Sequence, residues 1–322
     1  MTIHFMGTET DALNSSLGMT NTAGRFRTPQ SRAATLGSIA SPASVPDLTP
    51  FGTNDPDGYW IRYTCYYNGT SFPWGADYDH LRVYDENGNT SMRMYSHFDG
   101  AGSRYDYLVV YNTSNTAGTT SFGEMGQNVL YDFAFHVYTS GGNAVCDMYI
   151  GGSYVRHAVV AGANRGFKSC SFGNVEGTDV GISEVIVADQ DIVLARVYTN
   201  VINGAGTETD WSGSYTDLAA LQVDDAGIIS TTTGDIATFT HNGSYSVDAN
   251  VAAVAVSGRM ASGSSDIQAC LRIGGTNYFS PDLGAGPLSS PKQYIWTASP
   301  ATAVGFTGSE VNGLELGFKA VA

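Results

Sequence analysis

Short segments that alternate apolar and polar side chains with period two run along most of this chain, and hardly any stretch repeats with period 3.6. Val129, Tyr131, Phe133, Phe135 and Val137 fall on one face of an extended segment, with Leu130, Asp132, Ala134, His136 and Tyr138 on the other. A Gly141-Gly142-Asn143 turn follows, and Cys146, Met148 and Ile150 then form a second apolar face before Gly151-Gly152. Strands with one buried and one wet face give this alternation, and glycine turns between them give antiparallel hairpins. The pattern predicts an all-β chain, and it shifts the functional classes from most cofactor enzymes towards binding and structural roles.

The same reading places a strand at Tyr59, Ile61, Tyr63, Cys65 and Tyr67, with Trp60, Arg62, Thr64 and Tyr66 on its reverse. Leu81-Arg82-Val83-Tyr84 runs into Asp85-Glu86-Asn87-Gly88, a hairpin turn, with Met92, Met94 and Phe98 on the return strand. Further strands are predicted at Tyr105–Tyr111, Phe167–Phe172 and Ile182–Val187, and in the last third at 236–240, 247–256, 267–273, 294–297 and 314–318. One helical turn is predicted near Thr216–Leu221. The run from Cys146 to Gly152 is echoed by Cys270 to Gly275, an echo that turn chemistry alone can produce.

Three segments emerge. Residues 1–51 are poor in alternation and rich in Ser, Thr, Ala and Pro, and read as an extended docking arm; Arg25, Arg27 and Arg32 give it positive charge suited to an acidic neighbour. Residues 52–198 form a first β domain. The polar, glycine-rich stretch around 199–214 marks the boundary to a smaller β-sandwich over 199–322.

Composition sharpens the functional picture. Glycine (39 residues) and tyrosine (19) are abundant, while only 14% of residues are charged, so the surface stays wet through hydroxyls and amides and can pack on neighbouring subunits. A homo-oligomer is expected on that ground. The net charge of −15, with lysines only at 168, 292 and 319, offers no basic stripe for nucleic acid. No apolar run is long enough to span a membrane, and the N-terminal residues carry no secretory pattern, which fits assembly in a cytoplasm. Cys65, Cys146, Cys170 and Cys270 are far apart and read as buried free thiols.

From residue 129 to 187 the order of elements becomes specific. Leu130–Val137, the strand Val145–Ile150 with its Gly151-Gly152 turn, and Gly181-Ile182-Ser183-Glu184-Val185-Ile186-Val187 resemble the closing strands of a concanavalin A-like (laminin G-like) jelly-roll sandwich. The start Phe5-Met6-Gly7-Thr8-Glu9-Thr10-Asp11, the following Ala23-Gly24-Arg25-Phe26 and the ending Val311–Lys319 resemble structural proteins of tailed-bacteriophage virions. This resemblance implies a virion surface component (head fibre, spike, decoration or tail-associated protein) assembled in the host cytoplasm with other virion proteins as partners. The alternative it leaves open is an adhesin-like module that binds host surface glycan.

Candidate chemistry is sparse. In glycosidases with this fold, one strand carries carboxylates two and four residues apart. Here Glu176, Asp179 and Glu184 are offset by three and five, and the two glutamates that share a face would lie roughly 26 Å apart on one strand. The histidines (His4, His80, His97, His136, His157 and His241) are isolated, and there is no G-x-S-x-G or phosphate loop. The expectation is therefore a chain that is not an enzyme. A calcium site is the metal candidate, at Asp77 and Asp79 on one face or near the cluster Asn54, Asp55 and Asp57, set against their plain use as turn residues. Trp74, Tyr78 and Trp211 are the candidate glycan or partner contacts, since aromatic faces stack on both.

Overall fold

Period-two alternation becomes β-strand almost throughout the described residues. The computed structural model describes residues 2–7, 20–23, 32–36, 43–68, 77–98, 104–126, 129–173, 179–218, 227–230, 232–247, 249–262, 266–284 and 286–321. The chain divides into two compact units, Met1–Val197 and Tyr198–Ala322.

Unit 1 holds the strands β1 (Ile3–Gly7), β2 (Thr20–Ala23), β3 (Arg32–Leu36), β4 (Ala43–Val45), β5 (Tyr59–Asn68), β6 (Asp77–Tyr84) and β7 (Thr90–Phe98). It continues with β8 (Arg104–Tyr111), β9 (Ala117–Gly123), β10 (Leu130–Ser140), β11 (Asn143–Ile150), β12 (Ser153–Ala161), β13 (Ser169–Phe172) and β14 (Asp179–Ala188). The longer sheet runs β12-β11-β10-β5-β14-β3-β2, with β1 also on β14; the shorter one runs β4-β13-β6-β7-β8-β9. Every pairing is antiparallel.

The two sheets are joined by the residues that the alternation selects. Tyr59, Ile61, Tyr63 and Cys65 of β5 and Phe133, Phe135 and Val137 of β10 are all fully buried in one core. Tyr63 meets Phe133 at 5.6 Å and Phe135 at 6.3 Å within its own sheet, and the edge of Phe172 at 5.0 Å across the core. The Tyr59 hydroxyl reaches Ser91 Oγ of the opposite sheet at 3.0 Å. The four cysteines are buried free thiols, as expected.

The hairpins turn on glycine for a steric reason. Gly141 and Gly142 both have positive φ (57° and 76°), as do Gly151 and Gly152 (58° and 86°) and Gly274 and Gly275 (57° and 87°). Two successive left-handed residues match the strand twist, and only glycine adopts them without cost. That shared turn accounts for the echo between the Cys146 and Cys270 hairpins.

Residues 1–51 differ from the extended docking arm that the sequence suggests. Where described, they are strands of the sandwich: β1 pairs with the second half of β14, placing Phe5 in the core at 2% exposure, and β4 pairs with β13, burying Val45. The alternation was too short to signal them, since β1 and β4 are only five and three residues long. Arg25 and Arg27 lie outside the described residues. Arg32 opens β3, where its backbone faces Ala23.

Unit 2 contains β15 (Ile202–Thr209), α1 (Tyr215–Leu218), β16 (Ile236–His241), β17 (Asn250–Val251), β18 (Val254–Ser262), β19 (Asp266–Ile273), β20 (Thr276–Phe279), β21 (Gly286–Trp296), β22 (Phe306–Thr307), α2 (Gly308–Gly313) and β23 (Glu315–Val321). A five-stranded sheet, β15-β16-β23-β19-β20, is accompanied by the ribbons β17-β22 and β18-β21. The polar, glycine-rich stretch at the start of this unit forms the edge strand β15. Its glycines are required by closeness, since a Cβ at Gly206 would lie 2.5 Å from the Glu315 carboxylate.

Phe133→Ala is expected to cost about 3–5 kcal/mol through lost burial and a residual cavity, read from chemical denaturation. An unchanged midpoint would contradict the core assignment. Removing residues 1–51 should also lower the midpoint, because Phe5 and Val45 leave the core with them.

Candidate functional site

Antiparallel pairing carries two outer faces on unit 1, and they differ in what covers them. On the longer sheet the reverse of β5 presents Trp60, Arg62 and Thr64, beside Asp132 and His136 of β10. Residues 189–197 lie over this face, burying Ile192 and Val197 with Trp60, Ile186 and Ala188. Beneath them sits a closed charge cluster. Arg62, 1% exposed, approaches Glu184 at 3.3 Å and Asp132 at 3.5 Å, and Arg196 approaches Asp132 at 3.0 Å. Thr64 donates to Asp132 at 2.8 Å. Glu184 occupies a bulge in β14 with φ of 50°, a left-handed conformation costly for a side chain with Cβ. Burial pushes its carboxyl up, the Arg62 guanidinium opposes that, and Asp132 adds to it.

Next to this cluster the rings of Trp60, His136 and Tyr138 stack at 4.1 and 4.3 Å. His136 Nε2 donates to the Asp57 carbonyl at 2.8 Å, and burial lowers the pKa of the imidazole. Tyr138 donates to Asp147 at 3.1 Å; burial and that carboxylate push the phenol up to about 12. His136 Nε2 and the Tyr138 hydroxyl are thus used within the protein, and the three rings face one another.

The outer face of the shorter sheet is partly exposed: Asp77, Tyr105, Thr119 and Ser121 are exposed, Arg93, Tyr95 and Tyr107 half-buried and Val109 buried. Its register builds three rows: Asp77–His97–Tyr105, Asp79–Tyr95–Tyr107–Ser121 and Arg82–Arg93–Val109–Thr119. Tyr95 and Tyr107 stack at 5.2 Å and 21°, and the Arg93 guanidinium lies 4.0 Å above the Tyr95 ring. Tyr105 is 45% exposed. Asp79 takes Arg93 Nε and Arg82, while Asp77 takes Arg93 Nη1 at 3.4 Å and His97 Nδ1 at 2.8 Å. An aromatic platform edged by hydrogen-bonding groups is thus presented to solvent on rigid strands.

A bulge between Asp79 and Leu81 makes this face possible, because it turns both His80 and Leu81 inward. Ser96 gives its one proton to Asp106, so His80 Nε2 donates to Ser96 Oγ, at 2.5 Å. Arg104 Nε donates to the same pair, and the Met125 amide donates to Asp106 at 2.6 Å. All three of His80, Ser96 and Asp106 are buried, so this chain of groups closes one end of the core.

The sequence candidates fall out unevenly. Asp77 and Asp79 come together as expected, but against guanidinium groups; among the described residues no cluster of three or more His, Cys, Asp or Glu is arranged for a metal. Tyr78 lies opposite Ser96, on the inward row. Trp211 belongs to unit 2, where its indole donates to the Asp235 carbonyl at 3.1 Å and its ring packs on that unit's core. Trp74 lies outside the described residues, as does Glu176. Tyr95, Tyr105, Tyr107 and Arg93 are not among the sequence candidates, although the alternation 105, 107, 109, 111 places three tyrosines on one face.

No protein-family model matches the chain, and no curated protein sequence matches it. Among solved structures, the binding domain of Paraclostridial Mosquitocidal Protein 1 is similar over 74% of this chain and 75% of that one, at 9% identity and a TM-score of 0.43. An alginate lyase from Alteromonas sp. 272 matches over 46% and 78%, at 11% identity and 0.31. The enzymatically active domain of tailspike protein 2 from bacteriophage CBA120 matches over 62% and 31%, at 12% identity and 0.37. The likeness is one of β-rich fold alone. It corrects the expectation that the chain is not an enzyme, since a lyase and an enzymatically active domain are among the similar structures. Spacing along one strand does not register carboxylates that meet across strands. Pairing across strands brings Asp132 and Glu184 to a common arginine.

Burial drops the His80 pKa from 6.5 to about 3, with Arg104 adding to the effect. Between those values the unfolded chain holds a proton that the folded chain does not, so stability falls as pH falls through that window, by about 1.4 kcal/mol per unit. The raised carboxyls of Glu184 and Asp106 act with the opposite sign, losing stability as pH rises past the ordinary carboxylate range. His80→Gln should therefore flatten the acid side of the stability profile. An unchanged slope in melts across that window would show that His80 is not its source.

Proposed function

We propose that this chain is a structural protein on the surface of a tailed-phage virion, and that it contacts host glycan through the outer face of the shorter sheet of unit 1. The observation that carries the contact is the stacked Tyr95–Tyr107 pair, flanked by Arg93, Asp77, Asp79 and His97 on adjacent strands. Sugar rings present C–H faces that stack on aromatic rings, while their hydroxyls need donors and acceptors at the ring edge. Tyr105 and Tyr107 supply the first and the paired side chains beside them the second; those pairs hold the side chains in place, so little ordering is needed on binding. The virion role is supported by the sequence resemblance at Phe5–Asp11 and Val311–Lys319 and by the low-charge, tyrosine-rich composition suited to subunit contacts.

The full chain applied to a glycan array should retain specific oligosaccharides, and Tyr107→Ala should weaken them by about tenfold, the worth of one aromatic contact of about 1.4 kcal/mol. Failure to retain any glycan, or equal retention by Tyr107→Ala, would remove the contact reading. Light scattering is expected to show an oligomer; a stable monomer absent from any particle would remove the virion reading.

A further inference from the structure

Resting on the glycan reading of the tyrosine face, we infer that this face selects uncharged glycans and that Asp77 and Asp79 enforce the selection. Recognition of an acidic sugar calls for an arginine fork free to meet a carboxylate with two parallel hydrogen bonds. Both arginines here already face an aspartate. Arg93 gives Nε to Asp79 and Nη1 to Asp77, and its plane covers the Tyr95 ring; Arg82 is held by Asp79. The two guanidinium groups and the two carboxylates cancel, on a chain whose net charge is −15. A uronate or sialate would have to displace an aspartate from Arg93 and then sit beside the carboxylate it displaced, which is how a like charge rejects a wrong ligand. A neutral sugar meets no such cost. It needs the Tyr105 and Tyr107 rings, the remaining lone pairs of the aspartates, and the hydroxyls of Thr119 and Ser121 on the neighbouring strand.

The position of the two aspartates makes the inference specific. Asp77 and Asp79 sit on the same face of β6, opposite His97 and Tyr95, so both carboxylates approach Arg93 from one side. Asp77 is the more open of the two, with 41% of its side chain exposed against 23% for Asp79.

The test uses the full chain on an array holding neutral oligosaccharides and their uronate- or sialate-bearing counterparts, read at low and high ionic strength. Wild type should retain neutral glycans with little dependence on salt. The Asp77→Asn/Asp79→Asn variant should shift its preference towards acidic glycans by at least about tenfold relative to neutral ones, with the gain screened by salt. If the double variant does not fold, Asp77→Asn alone, which removes the carboxylate charge facing Arg93 Nη1, supplies the same comparison. Salt-sensitive preference of the wild type for acidic glycans would overturn the inference and leave the glycan reading standing, as would an unshifted preference in the variants. Absence of binding to both classes would overturn the glycan reading itself.

Discussion

The contact of Tyr63 with Phe133, Phe135 and Phe172 is the constraint from which the rest of unit 1 follows. It fixes which side of β5 and β10 points inward and locks the longer sheet to β13 of the shorter one. Because side chains alternate, burying these rings also decides what each sheet shows on its reverse. The inward choice on β5 and β10 puts Arg62, Asp132 and His136 outside. On β7 and β8, burying Met92, Met94, Leu108 and Val110 sends Arg93, Tyr95 and Tyr107 to the opposite surface.

The two outer surfaces then diverge through the way charge is handled. On the longer sheet, residues 189–197 remove Arg62, Asp132 and Glu184 from water, and each charge is matched within the cluster; Arg196 completes the balance from the covering segment. Such an arrangement adds little net stability but penalises the loss of any single member, because a charge would be left buried without its partner. On the shorter sheet the same residue types are matched in the open. There the pairs fix side-chain geometry around a ring platform, and fixed geometry at low entropic cost is what a recognition surface needs.

Much of the fold was legible along the chain. The hairpin of β10 and β11, its Gly-Gly turn and the inward set Phe133, Phe135 and Val137 follow directly from the alternation, as does the choice of free buried thiols. Elements that take their order from a partner were not legible: β1 and β4 are too short to show a period, and β15 carries glycines because Glu315 lies across it. The site was half legible. Asp77 and Asp79 stood out on one face, but their arginine partners come from β7 and from a residue beyond a bulge, a register that no spacing within β6 encodes. For the same reason the meeting of Asp132 with Glu184 was invisible to an argument confined to one strand.

The proposed glycan contact is the tyrosine face of the shorter sheet, and not the covered face of the longer one. Covalent footprinting of the full chain with and without a retained glycan addresses it directly. Protection is expected at Tyr95, Tyr105 and Tyr107, with Tyr149 and Tyr154 on the longer sheet labelled as before. Protection of Tyr149 and Tyr154, with the first three unchanged, would contradict it.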